Sequence, residues 1–252
     1  MSRSVRLIPL AGLPRVRPGD DVAALLVGAL ADQSAPEPRD VLVVSHKILS
    51  KAQGRIVDLG EVVPSPEAQD LATATGKPPA FAEVILRESN RIVRHRPGVI
   101  IAEHRLGMVM ANAGIDRSNV PGAEDLVLLL PEAPDADATA IRAAISVRFQ
   151  TDIGVVIADS AGRAWRNGVV GMAIGAAGLP ALTDLRGRAD LEGRELEVTE
   201  VGFADQIASA AHLVMGEADE GIPAVLIRGL SWQAADRPAA DLIREPSMDM
   251  FR

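Results

Sequence analysis

The sequence predicts an α+β fold of mixed β-sheets and helices, and three observations lead to it. Short apolar, β-branched runs recur along the 252 residues; helical periodicity fills several of the gaps between them; and the two do not alternate strictly, as a doubly wound parallel sheet would require. In chain order, VRLIPL (5–10) reads as a strand, DDVAALLVGAL (20–30) as a helix and ADQSAPEPR (31–39) as an exposed connector. VLVVS (41–45) and IVDLGEVV (56–63) read as strands, then EAQDLATATG (67–76) and AFAEVILRES (80–89) as helices. The runs VIIAE (99–103), MVMAN (108–112) and DLVLLLP (125–131) are strands by the same criteria. DADATAIRAAISVRFQ (135–150) is helical, DIGVVIAD (152–159) a strand, and FADQIASAAHLVMG (203–216) a helix that Gly216 ends. PAVLIRG (223–229) is the last strand, and 231–252 reads as a polar, proline-containing tail. Residues 1–230 form the expected folded unit, within which about 60–105 is read as a smaller lobe.

Composition removes several classes of function. An apolar content of 48% is that of a folded globule, and a net charge of −8 works against a sequence-independent grip on nucleic-acid phosphates. No cysteine is present, so disulfides, thiolate catalysis and zinc–sulfur sites are out, and a reducing cytoplasm is the expected location. The four histidines show no paired metal spacing. The N-terminus has no apolar run of signal-peptide type, and the most apolar window, GVVGMAIGAAGLPAL (168–182), is too short and too interrupted by glycine to span a bilayer. Aromatic content of 2%, with no tyrosine, argues against base stacking. No P-loop, dinucleotide fingerprint or nucleophile elbow occurs.

Four polar clusters follow apolar runs. SHKILSKAQGR (45–55) places Lys47, Lys51 and Arg55 after a strand, as a phosphate site or a solvated helix face would. NAGIDRSN (112–119) packs Asn112, Asp116, Ser118 and Asn119 into eight residues, a pattern shared by cation loops and Asx-turns. IADSAGRAWRNG (157–168) offers Asp159 and Ser160 as oxygen ligands for a hard cation, and Arg163 and Arg166 as bidentate partners for carboxylate or phosphate, with Trp165 read as packing. MGEADEGIP (215–223) sets Glu217, Asp219 and Glu220 between Gly216 and Gly221, either a solvated acidic turn or a loop that presents backbone N–H groups. Carboxylates from some loops and cations from others suit metal-assisted phosphoryl or acyl-phosphate chemistry.

In order along the chain, IPLAGLPRVRPGDD, SHKILSKAQGR, ANAGIDRSNVP, DSAGRAWRNG and FADQIASAAHLVMGEADEGIPAVLIRG resemble the gamma-glutamyl ligases of coenzyme F-420 biosynthesis, from about residue 5 to residue 230. The resemblance implies a GTP-dependent ligase that joins L-glutamate, through its amine, to the lactyl carboxylate of the deazaflavin precursor F-420-0, with Mg²⁺ or Mn²⁺, and K⁺ as a further candidate. It also implies a two-lobed, intertwined homodimer with its site in a groove at the interface. Carried over by motif, the metal ligands are Asp116, Asp159, Ser160 and Glu217. The nucleotide contacts are Leu13, Pro14, Arg15, Val16, His46, Lys51, Asn119 and the loop Met215, Gly216, Glu217, Ala218, Asp219, Glu220, Gly221 and Ile222. Asp159, Arg163 and Arg166 are the expected catalytic residues, the arginines orienting an anionic substrate. His46 stands where serine is common in such proteins, and Glu217 where glutamine or another residue occurs. No flavin-binding second domain is expected after the last motif. The competing expectations are an amide ligase with another acceptor, a non-catalytic nucleotide or deazaflavin binder, and a metal-dependent phosphohydrolase.

Overall fold

A computed structural model describes residues 4–117, 125–233 and 235–250. In chain order the elements are β1 (Arg6–Leu10), α1 (Val22–Gln33), β2 (Val41–Ser45), α2 (His46–Ala52), β3 (Ile56–Asp58), α3 (Pro66–Thr75), α4 (Pro79–Arg87), β4 (Ser89–Arg96), β5 (Val99–His104), β6 (Val109–Ala111), β7 (Leu126–Leu128), α5 (Pro134–Phe149), β8 (Gly154–Arg163), β9 (Arg166–Ala177), β10 (Leu182–Asp184), β11 (Glu200–Gly202), α6 (Phe203–Met215) and β12 (Ala224–Arg228). The architecture is α+β, as expected. Among the described residues no helix is long and apolar enough to cross a membrane.

The main sheet runs β1-β12-β2-β8-β9 and is antiparallel except for the parallel pair β2 and β8. Its inner strands read as unbroken apolar runs because both faces are covered. Leu42, Val44, Val155, Ile157, Ala224 and Leu226 point into a core shared with α1, α2 and α5. The alternate residues Val41, Val43, Val156, Ala158, Val225 and Ile227 point into the core under α6. A third apolar cluster joins α3 and α4 to the β4-β5-β6 sheet and the β3-β7 ladder, around Leu71, Phe81, Ile85, Ile100 and Val127.

Several elements differ from the sequence reading. The glycine-rich window at 168–182 is largely β9, a strand that sequence reading did not identify. Its glycines are there for close approach: a Cβ at Gly171 would lie 2.4 Å from the Ala208 carbonyl oxygen of α6, and one at Gly175 equally close to Pro134 of α5. The polar stretch SNRIVRHR is strand β4, an edge strand whose arginines face solvent. IVDLGEVV is a strand only over its first three residues, after which Asp58 accepts the Gly60 N–H and turns the chain into a 3₁₀ helix. Helix α1 runs on into the predicted connector, to Gln33. The segment after β12 folds back onto the core: Arg237 donates its N–H to the Leu179 carbonyl, Ala239 is buried, and the Asp135 carboxylate accepts from Ala176 and Ala239.

Candidate active site

Strands β2 and β8 are parallel neighbours, so their C-terminal ends open at the same edge of the sheet, the usual place for a ligand in such an arrangement. Ser45 ends β2, donates its N–H to the Pro223 carbonyl at 2.8 Å, and accepts the Lys47 N–H on its hydroxyl, turning the chain directly into α2. One helical turn separates Lys47 from Lys51, which puts both ammonium groups on one face. Asp159 and Ser160 come from the far half of β8. The segment between β1 and α1 and the loop from α6 to β12 complete the walls.

The result is a cavity of about 620 Å³. Leu13, Pro14, Arg15, Val16, Lys51, Asp159, Ser160 and the whole loop Met215 to Ile222 line it, so most of the residues singled out in the sequence meet there. Ser45, Lys47, Ile48, His212 and Pro223 join them, and were absent from the expected contacts. The spacing of Lys47 and Lys51 was the available signal for the first lysine; His212 carries none, because its role depends on where the α6 C-terminus falls.

Each expected carboxylate ligand has a nitrogen partner. Lys47 Nζ lies 2.6 Å from Asp116 Oδ2, which ties Asp116 to the cavity through a lining residue although Asp116 is not itself in the wall. His46 is buried beneath the wall, with Nε2 3.2 Å from Asp159 Oδ1 but outside hydrogen-bond geometry, and Nδ1 3.3 Å from Ser50 Oγ. Asp159 Oδ1 also accepts the Ser160 N–H at 2.7 Å. His212 Nδ1 lies 2.8 Å from Glu217 Oε1. Burial first, then the charges of Lys47 and Arg15, push the Lys51 ammonium below its ordinary pKa, with Asp116 opposing them.

The α6–β12 loop is shaped around an anion. Gly216 has φ +72°, and any Cβ there would collide with the Glu220 carboxyl. That carboxylate accepts the Ala218 N–H at 2.9 Å and faces further backbone N–H groups of the loop, which hold its pKa below the ordinary carboxylate value. Its oxygens stand where those of a phosphate would be received by such a concavity.

Other expectations fall elsewhere. Arg163 and Arg166 lie at the exposed tip of the β8–β9 hairpin and do not line this cavity; Arg163 Nη2 donates to the Asn167 carbonyl at 3.4 Å. Trp165 between them is not a packing residue: it is 86% exposed, with φ +65° in the tight turn. Asn119 lies outside the described residues.

The donor set fits a hard divalent cation. Asp159, Ser160 and Glu217 present carboxylate and hydroxyl oxygens to one cavity, a set that suits magnesium or manganese and not a soft metal. Among the described residues no three His, Cys, Asp or Glu side chains cluster closely enough to hold an ion alone.

The cavity lining thus combines the ammonium groups of Lys47 and Lys51 with the carboxylates and hydroxyl of Asp159, Glu217 and Ser160. The comparisons give the family. The profile described as F420-0:Gamma-glutamyl ligase matches residues 12–229, and the chain belongs to that family. It is 49% identical over 253 residues to the Coenzyme F420:L-glutamate ligase of Methanopyrus kandleri, covering 99% of this chain and 98% of that one. It is 44% identical to the protein of the same name from Methanothermobacter thermautotrophicus, over 98% of this chain and 99% of the other. With the Methanocaldococcus jannaschii ligase it shares 42% identity, over 99% and 98% of the two chains.

Proposed function

We propose that the protein is a ligase of coenzyme F-420 biosynthesis that joins L-glutamate to the lactyl carboxylate of F-420-0, using GTP and a divalent cation and passing through an acyl phosphate. The observation that carries this reading is the composition of the strand-end cavity, where Lys47 and Lys51 face Asp159, Ser160 and Glu217 across a loop built to receive an anion. Family membership and full-length relatives named as ligases support it.

Chemistry follows from those side chains. A carboxylate is a poor acyl donor, so its oxygen takes the γ-phosphoryl group of GTP with release of GDP; the glutamate amine then attacks the acyl carbon, forming the amide as inorganic phosphate leaves and the amine gives up a proton. Arg15, Lys47 and Lys51 bind and orient the phosphate chain, and the loop N–H groups receive phosphate oxygens once Glu220 gives way. Asp159 and Ser160 border the reacting end, with the Ser160 N–H fixing the Asp159 carboxylate and His46 buried beneath it. Asp159, Ser160, Glu217 and, after release from Lys47, Asp116 would hold a divalent cation, which would supply the charge neutralisation that a triphosphate needs beside acidic residues.

The test is mass spectrometry of F-420-0 incubated with the purified protein, L-glutamate, GTP and Mg²⁺ or Mn²⁺, omitting each component in turn. A gain of one or more glutamyl units that needs all components is expected. Glutamate-independent release of phosphate from GTP with the precursor unchanged would replace the ligase reading with a phosphohydrolase.

A further inference from the structure

A second cavity, of about 560 Å³, lies against the outer edge of β9, within the size range of sites for drug-sized ligands. Met108, Pro134, Met172, Ile174, Leu242 and Ile243 give it a mainly apolar lining. One feature relates it to the strand-end cavity. Met172 of its wall is the cross-strand partner of Asp159, and directly opposed residues of an antiparallel pair project from the same face about 5 Å apart. The two cavities are therefore neighbours across a single strand pair, with Asp159 in one wall and Met172 in the other.

We propose that this cavity receives the flat ring system of the acceptor, whose carboxylate-bearing arm passes along the β8–β9 pair to Asp159. The inference rests on the ligase reading above. Glutamate has little apolar surface to bury, and the phosphate chain of GTP is drawn to Lys47 and Lys51, so the acceptor's deazaflavin ring is the reactant whose surface matches these walls. Thioether side chains adapt their shape to an inserted ring and make favourable sulfur–aromatic contacts, which suits the paired Met108 and Met172. The charged groups of the lining are Glu132, Asp135, Asp205 and Asp249, with Arg244 opposite in sign. Asp135 is already committed to the N–H groups of Ala176, Ala239 and Ala240. Asp205 accepts the Ala173 N–H, and burial pushes its carboxyl above the ordinary aspartate pKa. Arg244 is the cation of the lining.

Two substitutions crowd the cavity where the 3₁₀ turn after β12 meets the start of α5: Ala240→Trp and Ala136→Trp. Both positions are exposed, so the added indole has solvent on one side. F-420-0 binding is followed by its own fluorescence, GTP binding by calorimetry, folding by thermal melting and turnover by mass spectrometry. The expected result is F-420-0 affinity weakened about tenfold or more in both variants, with GTP affinity and melting temperature unchanged; a tenfold loss corresponds to about 1.4 kcal/mol. If wild-type protein binds F-420-0 without glutamylating it, and the variants lose that binding, the ring site stands and the ligase reading falls. If wild-type protein turns over and both folded variants keep wild-type F-420-0 affinity and KM, the ring site is overturned and the ligase reading stands.

Discussion

Two buried polar clusters in this protein use similar side chains for opposite ends. Around Glu88, the carboxylate meets Arg55 at 2.7 Å, Arg105 at 3.2 Å and His104 at 3.4 Å, all through Oε2. His104 Nδ1 accepts the Leu106 N–H, and its Nε2, outside hydrogen-bond geometry, faces Glu88. Burial raises the Glu88 pKa, but the close approach of His104 and the charge and hydrogen bonds of Arg55 and Arg105 outweigh it and bring it to about 2. Around Asp159 a carboxylate and a buried histidine also meet, yet among the described residues no guanidinium ion pair joins them and Asp159 lines the cavity. The first cluster has its charge answered by arginines; the second has one carboxylate facing a cavity that Arg15, Lys47 and Lys51 also line. Compensation marks a structural network, and its absence beside a cavity marks a site.

The largest expected effect separates the two. Asp159→Asn keeps the shape of the side chain and removes the charge, so glutamylation should fall by about 10²-fold or more, the scale of losing one preorganised electrostatic group, with the melting temperature within a degree or two of wild type. Normal turnover in that variant would remove Asp159 from the chemistry.

Glu88→Gln should do the reverse. Removing one partner leaves two guanidiniums short of a counter-charge, at a cost of about 3 kcal/mol in unfolding free energy, while the folded fraction turns over normally. The pH dependence has a definite sign. A carboxyl whose pKa is depressed on folding stabilises above its unfolded value, near 4.5, and loses that contribution as pH falls toward the folded value of about 2. Wild-type stability should therefore decline over that window, and the Glu88→Gln variant should show a shallower decline in denaturant titrations.

Lys51 tests the cavity from its other wall. Its ammonium is disfavoured by burial and by Lys47 and Arg15, so on folding the pKa falls, and the folded protein gains stability as pH rises through the lowered value. Lys51→Met should keep or slightly raise the melting temperature at neutral pH while weakening GTP binding about tenfold in calorimetry. A phosphate beside Lys51 restores the ammonium, so wild-type GTP affinity should fall with rising pH earlier than an ordinary lysine would dictate, and the variant should lack that step.

How much of this was legible in the sequence follows from range of interaction. The inner strands, the major helices and the end of α6 at Gly216 are local patterns, and VLVVS, DIGVVIAD and PAVLIRG declared themselves because a two-faced strand is apolar throughout. Strand β9 did not, because its glycines answer helices α5 and α6 that lie far away in sequence. The cavity's motifs were visible as polar clusters at strand ends, but the pairing of Lys47 with Asp116 and of His46 with Asp159 depends on tertiary placement, which no spacing encodes. The hairpin arginines were the reverse case: adjacent to Asp159 in sequence, they are carried away from it because β8 continues four residues further, to Arg163.

That separation sets the smallest expected effect. Arg163→Ala combined with Arg166→Ala alters exposed side chains outside the cavity, and such surface changes stay within about 0.5 kcal/mol, so GTP affinity and melting temperature should shift by less than about threefold and a few degrees. The hairpin nevertheless carries an exposed tryptophan, Trp165, at positive φ in the turn between Arg163 and Arg166 in sequence. If the double variant lost glutamylation while Asp159, Lys51 and the fold were intact, the arginines would have to act on a site other than the one their own chain encloses. Activity recovered by mixing this variant with Asp159→Asn protein would then assign the hairpin to the cavity of a second copy. No recovery, with each variant folded, would confine its contribution to the copy that bears it.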